Sequence, residues 1–227
     1  MLLALGGVAA LYETQRSGQG QVVDAAMTDG GALLIAAQFG LAATGFWPDE
    51  RKSNFLDGSA PFYGSYACAD GGFVSIGPIE PQFYRLLLQK CGIDDPHFTN
   101  QWDRGEWPAL KAKLAALFLN RSRDEWCALL EGSDVCFAPV LSMREAPGHP
   151  HNLARGTFVE AQGVLQPAPA PRFDRTPSTL PTPAPVIGGY SAELLRLIGR
   201  TEAEISALME SGVVLQTSAS PAAQARA

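Results

Sequence analysis

Glu80 is the titratable residue in this sequence whose position most asks for a reason. It stands between two elements in the stretch GGFVSIGPIEPQFYRLLLQKCG, Gly71 to Gly92. Phe73, Val74 and Ile76 predict a short buried strand, and Pro81 predicts the first residue of a helix with Phe83, Leu86 and Leu87 on one face. Helix caps are commonly Ser, Thr, Asp or Asn, whose short side chains reach back to the free amides; a glutamate is too long to do this well. At that position a carboxylate meets the positive end of the helix dipole. The dipole holds such a carboxylate ionised, and the plain reading is a surface residue that caps the helix. The other titratable groups point less clearly to chemistry. His97 follows Pro96 in a loop and reads as solvated, and His149 and His151 flank Pro150 and read as shaping a turn. Cys68, Cys91, Cys127 and Cys136 show no paired short spacing, and no histidine stands near them in metal-finger fashion. Reduced thiols, no metal site and a cytoplasmic chain are expected.

The elements that must position Glu80 can be read outward from it. Residues 61–77 alternate as two strands around the turn Asp70-Gly71-Gly72, so a hairpin delivers Glu80 to the helix that follows. Arg51 to Ser59, RKSNFLDGS, reads as a loop. Upstream, Leu2, Leu3, Leu5, Val8, Ala9 and Leu11 form an apolar helical run without a basic leader, which argues against a secretory signal. GQGQ makes a turn, VVDAAM a short strand or helix entry, and Gly30 to Trp47 a long apolar stretch. Asp29 at its edge, Gln38 inside it and its glycines argue against a membrane span and for a helix buried on all sides by protein, at a subunit contact. Asp24 is expected to bond local amides and Asp29 to cap that helix.

Downstream, helices are predicted over Trp107–Leu119 and Arg123–Leu130, the second opened by a capping box of Ser122 and Glu125. CFAPVLSM predicts a strand, and HPHNLARGTFVE leads into another. The proline-rich run from Leu165 to Gly188 is expected to lie extended over a surface. Two capped helices follow, with Ser191 and Thr201 as N-caps and Gly199 and Gly212 as stops. The chain has 227 residues, 46% of them hydrophobic, which suffices for one sizeable core or two small ones. Its formal charge is -6 with Lys and Arg scattered singly, so no basic stripe exists to follow a phosphate backbone and nucleic acid is excluded as a partner.

Four segments in order, GQGQVVDAAMTDG, NFLDGSAPFYGSYACADGGFVSIGPIEPQFY, HPHNLARGTF and PAPRFDRTPSTLP, resemble the family III CoA-transferase (CaiB/BaiF) superfamily, and most closely its α-methylacyl-CoA racemase branch. The resemblance covers residues 1 to about 215. It implies an α/β fold: a small α/β domain plus the C-terminal portion of a large α/β domain, with the N-terminal half missing. The domains expected are 1–55, the remainder of the large domain and a linker helix; 56–150, the small α/β domain; 151–215, the extended return and C-terminal helices of the large domain; and 216–227, a frayed tail.

What the resemblance implies for function is specific to positions. It makes Glu80 a catalytic carboxylate near a thioester and places Leu56, Tyr63 and Ile79 on the wall of an acyl pocket, although such residues in a hairpin also serve as plain core. The loop reads GPIEPQFY, as in the racemases, where the transferases carry a glycine-rich loop. The substrate implied is an acyl-CoA thioester, with CoA arriving as part of the substrate and no separate cofactor. The implied partner is a second copy in an interlocked homodimer, or a separate polypeptide supplying the N-terminal half. The His and Asp that act as acid and base in the family lie in that half, and no residue here matches either. The expected activity is therefore that of a racemase whose site is incomplete in this chain. A family III CoA-transferase and a non-catalytic remnant are the alternatives.

Overall fold

The computed structural model describes residues 1–161, 163–180 and 186–217. The chain divides into two compact units, Met1–Val140 and the residues from Leu141 onward. The first opens with helix α1 (Leu2–Ser17), followed by α2 (Met27–Leu34) and α3 (Ala36–Ala43). Of the two readings of VVDAAM, a short strand or a helix entry, the structure shows the second: residues 22–26 carry no regular structure and Met27 opens α2. α1 meets the following segment where its side chains are small: a Cβ added to Gly6 would lie 2.7 Å from Val23, and one added to Gly30 would lie 3.0 Å from Leu2.

The single buried helix expected over Gly30 to Trp47 is instead two short helices broken at Ile35. Leu33, Leu34, Ile35 and Phe39 are exposed, as are Leu3, Leu5, Val8 and Leu11 of α1. Nothing within this unit covers them, because its core lies elsewhere. No helix among the described residues is long and apolar enough to cross a membrane. Asp29 sits within the first turn of α2, whose N-cap is Ala26, so it is not the cap expected of it. Asp24 holds no local amide among the described residues.

The core of the unit is built on an antiparallel sheet of β1 (Gly64–Ala67), β2 (Phe73–Ile76) and β3 (Phe137–Val140), in that order. Val74 and Ile76 of β2 are buried and Tyr66 of β1 joins them, while Phe73 and Ser65 turn outward, the period-two pattern of a half-buried sheet. The inward side chains meet α4 (Pro81–Cys91), α5 (Trp107–Phe118) and α6 (Arg123–Leu130), which contribute Tyr84 and Leu87, Leu110, Leu114 and Phe118, and Trp126 and Leu130. Each such side chain contributes roughly 1.5–3 kcal/mol by leaving water. The indole N–H groups would be costly to bury alone; Trp126 Nε1 donates to Phe118 O at 2.9 Å and Trp107 Nε1 to Gln101 O at 2.9 Å. The Ser122–Glu125 capping box forms as predicted.

The second unit holds helix α7 (Pro150–Arg155), a hairpin of β4 (Phe158–Ala161) and β5 (Val164–Pro167), and helices α8 (Ser191–Leu197) and α9 (Glu202–Glu210). α9 is opened by Thr201, whose hydroxyl accepts from Glu204 N. Ser191 departs from its expected role. It is the first residue inside α8, and Tyr190 stands at the cap position without a side-chain bond. The part of the proline-rich segment over 181–185 and the expected tail beyond Thr217 fall outside the described residues.

Candidate functional site

The sheet's outward face carries small residues, and that is what opens a groove. Register places Ser65 opposite Ser75 and Ser75 opposite Ala138, so one row of short side chains crosses all three strands. This row floors a groove of about 470 Å³. Its β3 end is bounded by Cys136 and Gly77, and its β1 end by Leu56, Gly58, Tyr63 and Gly64. The two edge strands stand two strand spacings apart, roughly 10 Å. Gly77 is fitted to this place by its neighbour: a Cβ there would press on the Tyr63 ring at 3.3 Å. Gly77 N also donates to Cys136 O at 2.9 Å, extending the β2–β3 pairing by one residue.

Of the residues read from the sequence, Leu56 and Tyr63 line the groove together. Ile79 does not; it is half-buried and packs against the hydrophobic core. Glu80 stands at the N-cap of α4 with an extended backbone, φ -71° and ψ 139°, and its side chain makes no capping hydrogen bond. Its carboxylate is exposed and uncommitted to the helix, so the capping alternative is not the arrangement present. Glu80 reaches the groove electrostatically through Cys136. Partial burial raises the Cys136 thiol above its ordinary pKa, and the carboxylates of Glu80 and Asp134 push it the same way, so this thiol stays protonated near neutral pH.

Two supporting groups escape sequence reading. Gln101 is buried, and its Nε2 donates to Pro78 O at 3.1 Å and Ile79 O at 2.8 Å, clamping the loop that carries Glu80. It lies in the turn-rich run NQWDRG, where a glutamine carries no pattern that would betray a contact across more than twenty residues of chain. Asp57 organises the loop that carries Leu56: its Oδ2 accepts from Ser53 N at 3.0 Å and Asn54 N at 3.1 Å, and its Oδ1 from Ser59 N at 3.1 Å.

Burial works against the charge on Asp57, but the amide donors of Ser53, Asn54 and Ser59 outweigh it and hold the carboxyl below its ordinary value. A group depressed in the folded state stabilises that state above its unfolded pKa, near 4, and the contribution is lost as pH falls through the folded value. The amides of Ser53, Asn54 and Ser59 are therefore expected to lose hydrogen-exchange protection as pH falls below about 4, relative to β1–β3 and after correction for intrinsic exchange. Parallel loss in loop and sheet would show that the Asp57 carboxylate is not what holds the loop.

Residues 1–190 match CoA-transferase family III, and the chain belongs to that family. It is 39% identical over 216 residues to the α-methylacyl-CoA racemase of Mus musculus, covering 94% of this chain and 57% of the relative. The racemase of Homo sapiens is 38% identical over 217 residues, with 94% and 56% covered. The chain thus spans about half the length of the curated relatives it matches. Among solved structures, a CaiB/BaiF family protein from Brucella suis superposes with a TM-score of 0.65 at 24% identity, over 84% of this chain and 51% of that one, a likeness of fold.

Proposed function

We propose that this chain forms the acyl-holding part of a racemase site that removes and returns the proton on the α-carbon of 2-methylacyl-CoA thioesters. The observation that carries this reading is the uncommitted carboxylate of Glu80, within electrostatic reach of Cys136, which lines the same groove as Leu56 and Tyr63. Racemisation takes a proton from one face of a carbon and delivers one to the other, so it needs an acid and a base on opposite sides, together with donors that steady the enolate between the two steps. Glu80 stands on one side only. The acid–base pair is supplied by the N-terminal half that the family relationship implies, whether joined to this chain, contributed by a second interlocked copy or present as a separate polypeptide. The apolar side chains exposed on α1 to α3 suit such a partner. CoA enters as part of the substrate, and no other cofactor is required by this chemistry. Catalysis in the cytoplasm, expected from cysteines read as reduced thiols, is part of this reading.

The test uses this chain joined to the N-terminal half of a racemase relative, with a single enantiomer of a 2-methylacyl-CoA in deuterium oxide. Deuterium at the α-carbon with loss of configuration is the expected result. Transfer of CoA to an added carboxylic acid without α-exchange would replace this reading with a family III CoA-transferase, and neither reaction would leave a non-catalytic remnant.

A further inference from the structure

The short loop that carries Glu80 is held along its backbone. Pro78 and Pro81 bracket Ile79 and Glu80, and a residue before proline is confined to extended backbone, which is the conformation of Glu80 at φ -71° and ψ 139°. Gly77 N donates to Cys136 O and Ile79 N to Gly77 O, each at 2.9 Å, and Glu80 O accepts from Tyr84 N at 3.0 Å. Between these bonds lie the carbonyls of Pro78, a buried residue, and of half-buried Ile79. One side chain serves both, since Gln101 Nε2 donates to Pro78 O at 3.1 Å and to Ile79 O at 2.8 Å. An amide nitrogen has two N–H groups, so Gln101 spends both on this loop. Gln101 is only 6% exposed, and its own carbonyl accepts from Nε1 of Trp107, a core residue, at 2.9 Å. A continuous line of hydrogen bonds thus runs from the core through Gln101 to the residue before Glu80.

We propose that Gln101 is a positioning residue for the α-proton transfer: it fixes where the Glu80 carboxylate stands, and so affects the rate of exchange without touching the substrate. This inference rests on the racemase reading of Glu80. The Glu80 side chain is exposed and makes no capping bond to α4, so its placement depends on the backbone beneath it. Without the Gln101 amide, the carbonyls of Pro78 and Ile79 lose their donor inside the protein, and the loop shifts to find water for them. Misplacing a group that acts on a reacting centre by about 1 Å costs up to about a hundredfold in rate. A glutamine that only supported the fold would instead slow exchange by the same factor whether or not Glu80 carried a charge.

The experiment uses Gln101→Met, which keeps the side-chain size and removes both donors, and Gln101→Asn, which keeps an amide one methylene short and disturbs the core less. In the 227-residue chain, Gln101→Met is expected to speed amide hydrogen exchange at Ile79 about tenfold relative to β1–β3. In the chain joined to the N-terminal half of a racemase relative, each variant is then combined with Glu80→Gln. Gln101→Met alone is expected to lower kcat for α-proton exchange about tenfold per folded molecule, with KM within about twofold of native. In the Glu80→Gln background it is expected to add less than about twofold, because both changes act through one carboxylate. Gln101→Asn is expected to fall between native and Gln101→Met in each measurement, and it carries the same comparison if Gln101→Met does not fold. Losses that multiply in the double variant, or native Ile79 exchange in both Gln101 variants, would overturn the positioning role while leaving the Glu80 reading in place. Unchanged α-proton exchange in Glu80→Gln alone would remove the Glu80 reading, and this inference with it.

Discussion

The purified 227-residue chain, incubated with a 2-methylacyl-CoA in deuterium oxide, is expected to incorporate no deuterium at the α-carbon above the buffer rate. The reason lies in the missing base and enolate donors. Exchange needs a base at the α-carbon and donors that steady the enolate, which the proposed reading assigns to the N-terminal half, while near the groove this chain offers a supporting Glu80, a Cys136 thiol held protonated and an Asp57 carboxylate tied to backbone amides. Each missing acid or base group costs roughly two to four powers of ten, and groups that act as a unit lose nearly all of their joint effect when separated. Mixing with a separately expressed N-terminal half of a racemase relative is expected to restore exchange. Incorporation by the chain alone would show that Glu80, Asp57 or a histidine set aside above acts as a base unaided, and the proposed division of the site would fall.

Glu80→Gln in the joined protein is expected to lower α-proton exchange by one to a few powers of ten, roughly the range for a group that acts on proton transfer. The glutamine keeps the size and polarity of the side chain and removes its charge. Because the Glu80 side chain makes no capping bond to α4, the substitution is expected to leave the melting temperature within the scatter of ordinary surface changes. Stability and rate are thereby separated. A lowered melting temperature with unchanged exchange per folded molecule would return Glu80 to the fold. Unchanged exchange at unchanged stability would remove it from both.

Local chemistry made a good part of this protein legible from sequence. The hairpin about Asp70-Gly71-Gly72, the proline-led start of α4, the helix beginning at Trp107, the capping box of α6 and the Thr201 cap of α9 all depend on residues a few positions apart, and they appear where the pattern puts them. The family was legible too, because its motifs are contiguous. Where elements were misread, packing was the missing information. Apolar character alone does not reveal that α2 and α3 break at Ile35 or that their apolar side chains stay exposed, since burial depends on what stands opposite.

By itself, the sequence determined that a glutamate opens α4 after a buried strand and that Leu56 and Tyr63 lie on segments leading to it, because these are facts of order and period along the chain. Only the tertiary structure decided that Ser65, Ser75 and Ala138 align into one groove floor, that Ile79 turns to the core, that Gln101 clamps the Glu80 loop, and that Lys111 reaches Gly58. The physical reason is register and side-chain direction. Residues far apart in sequence become neighbours through strand pairing, and a change of one position along a strand sends a side chain to the opposite face.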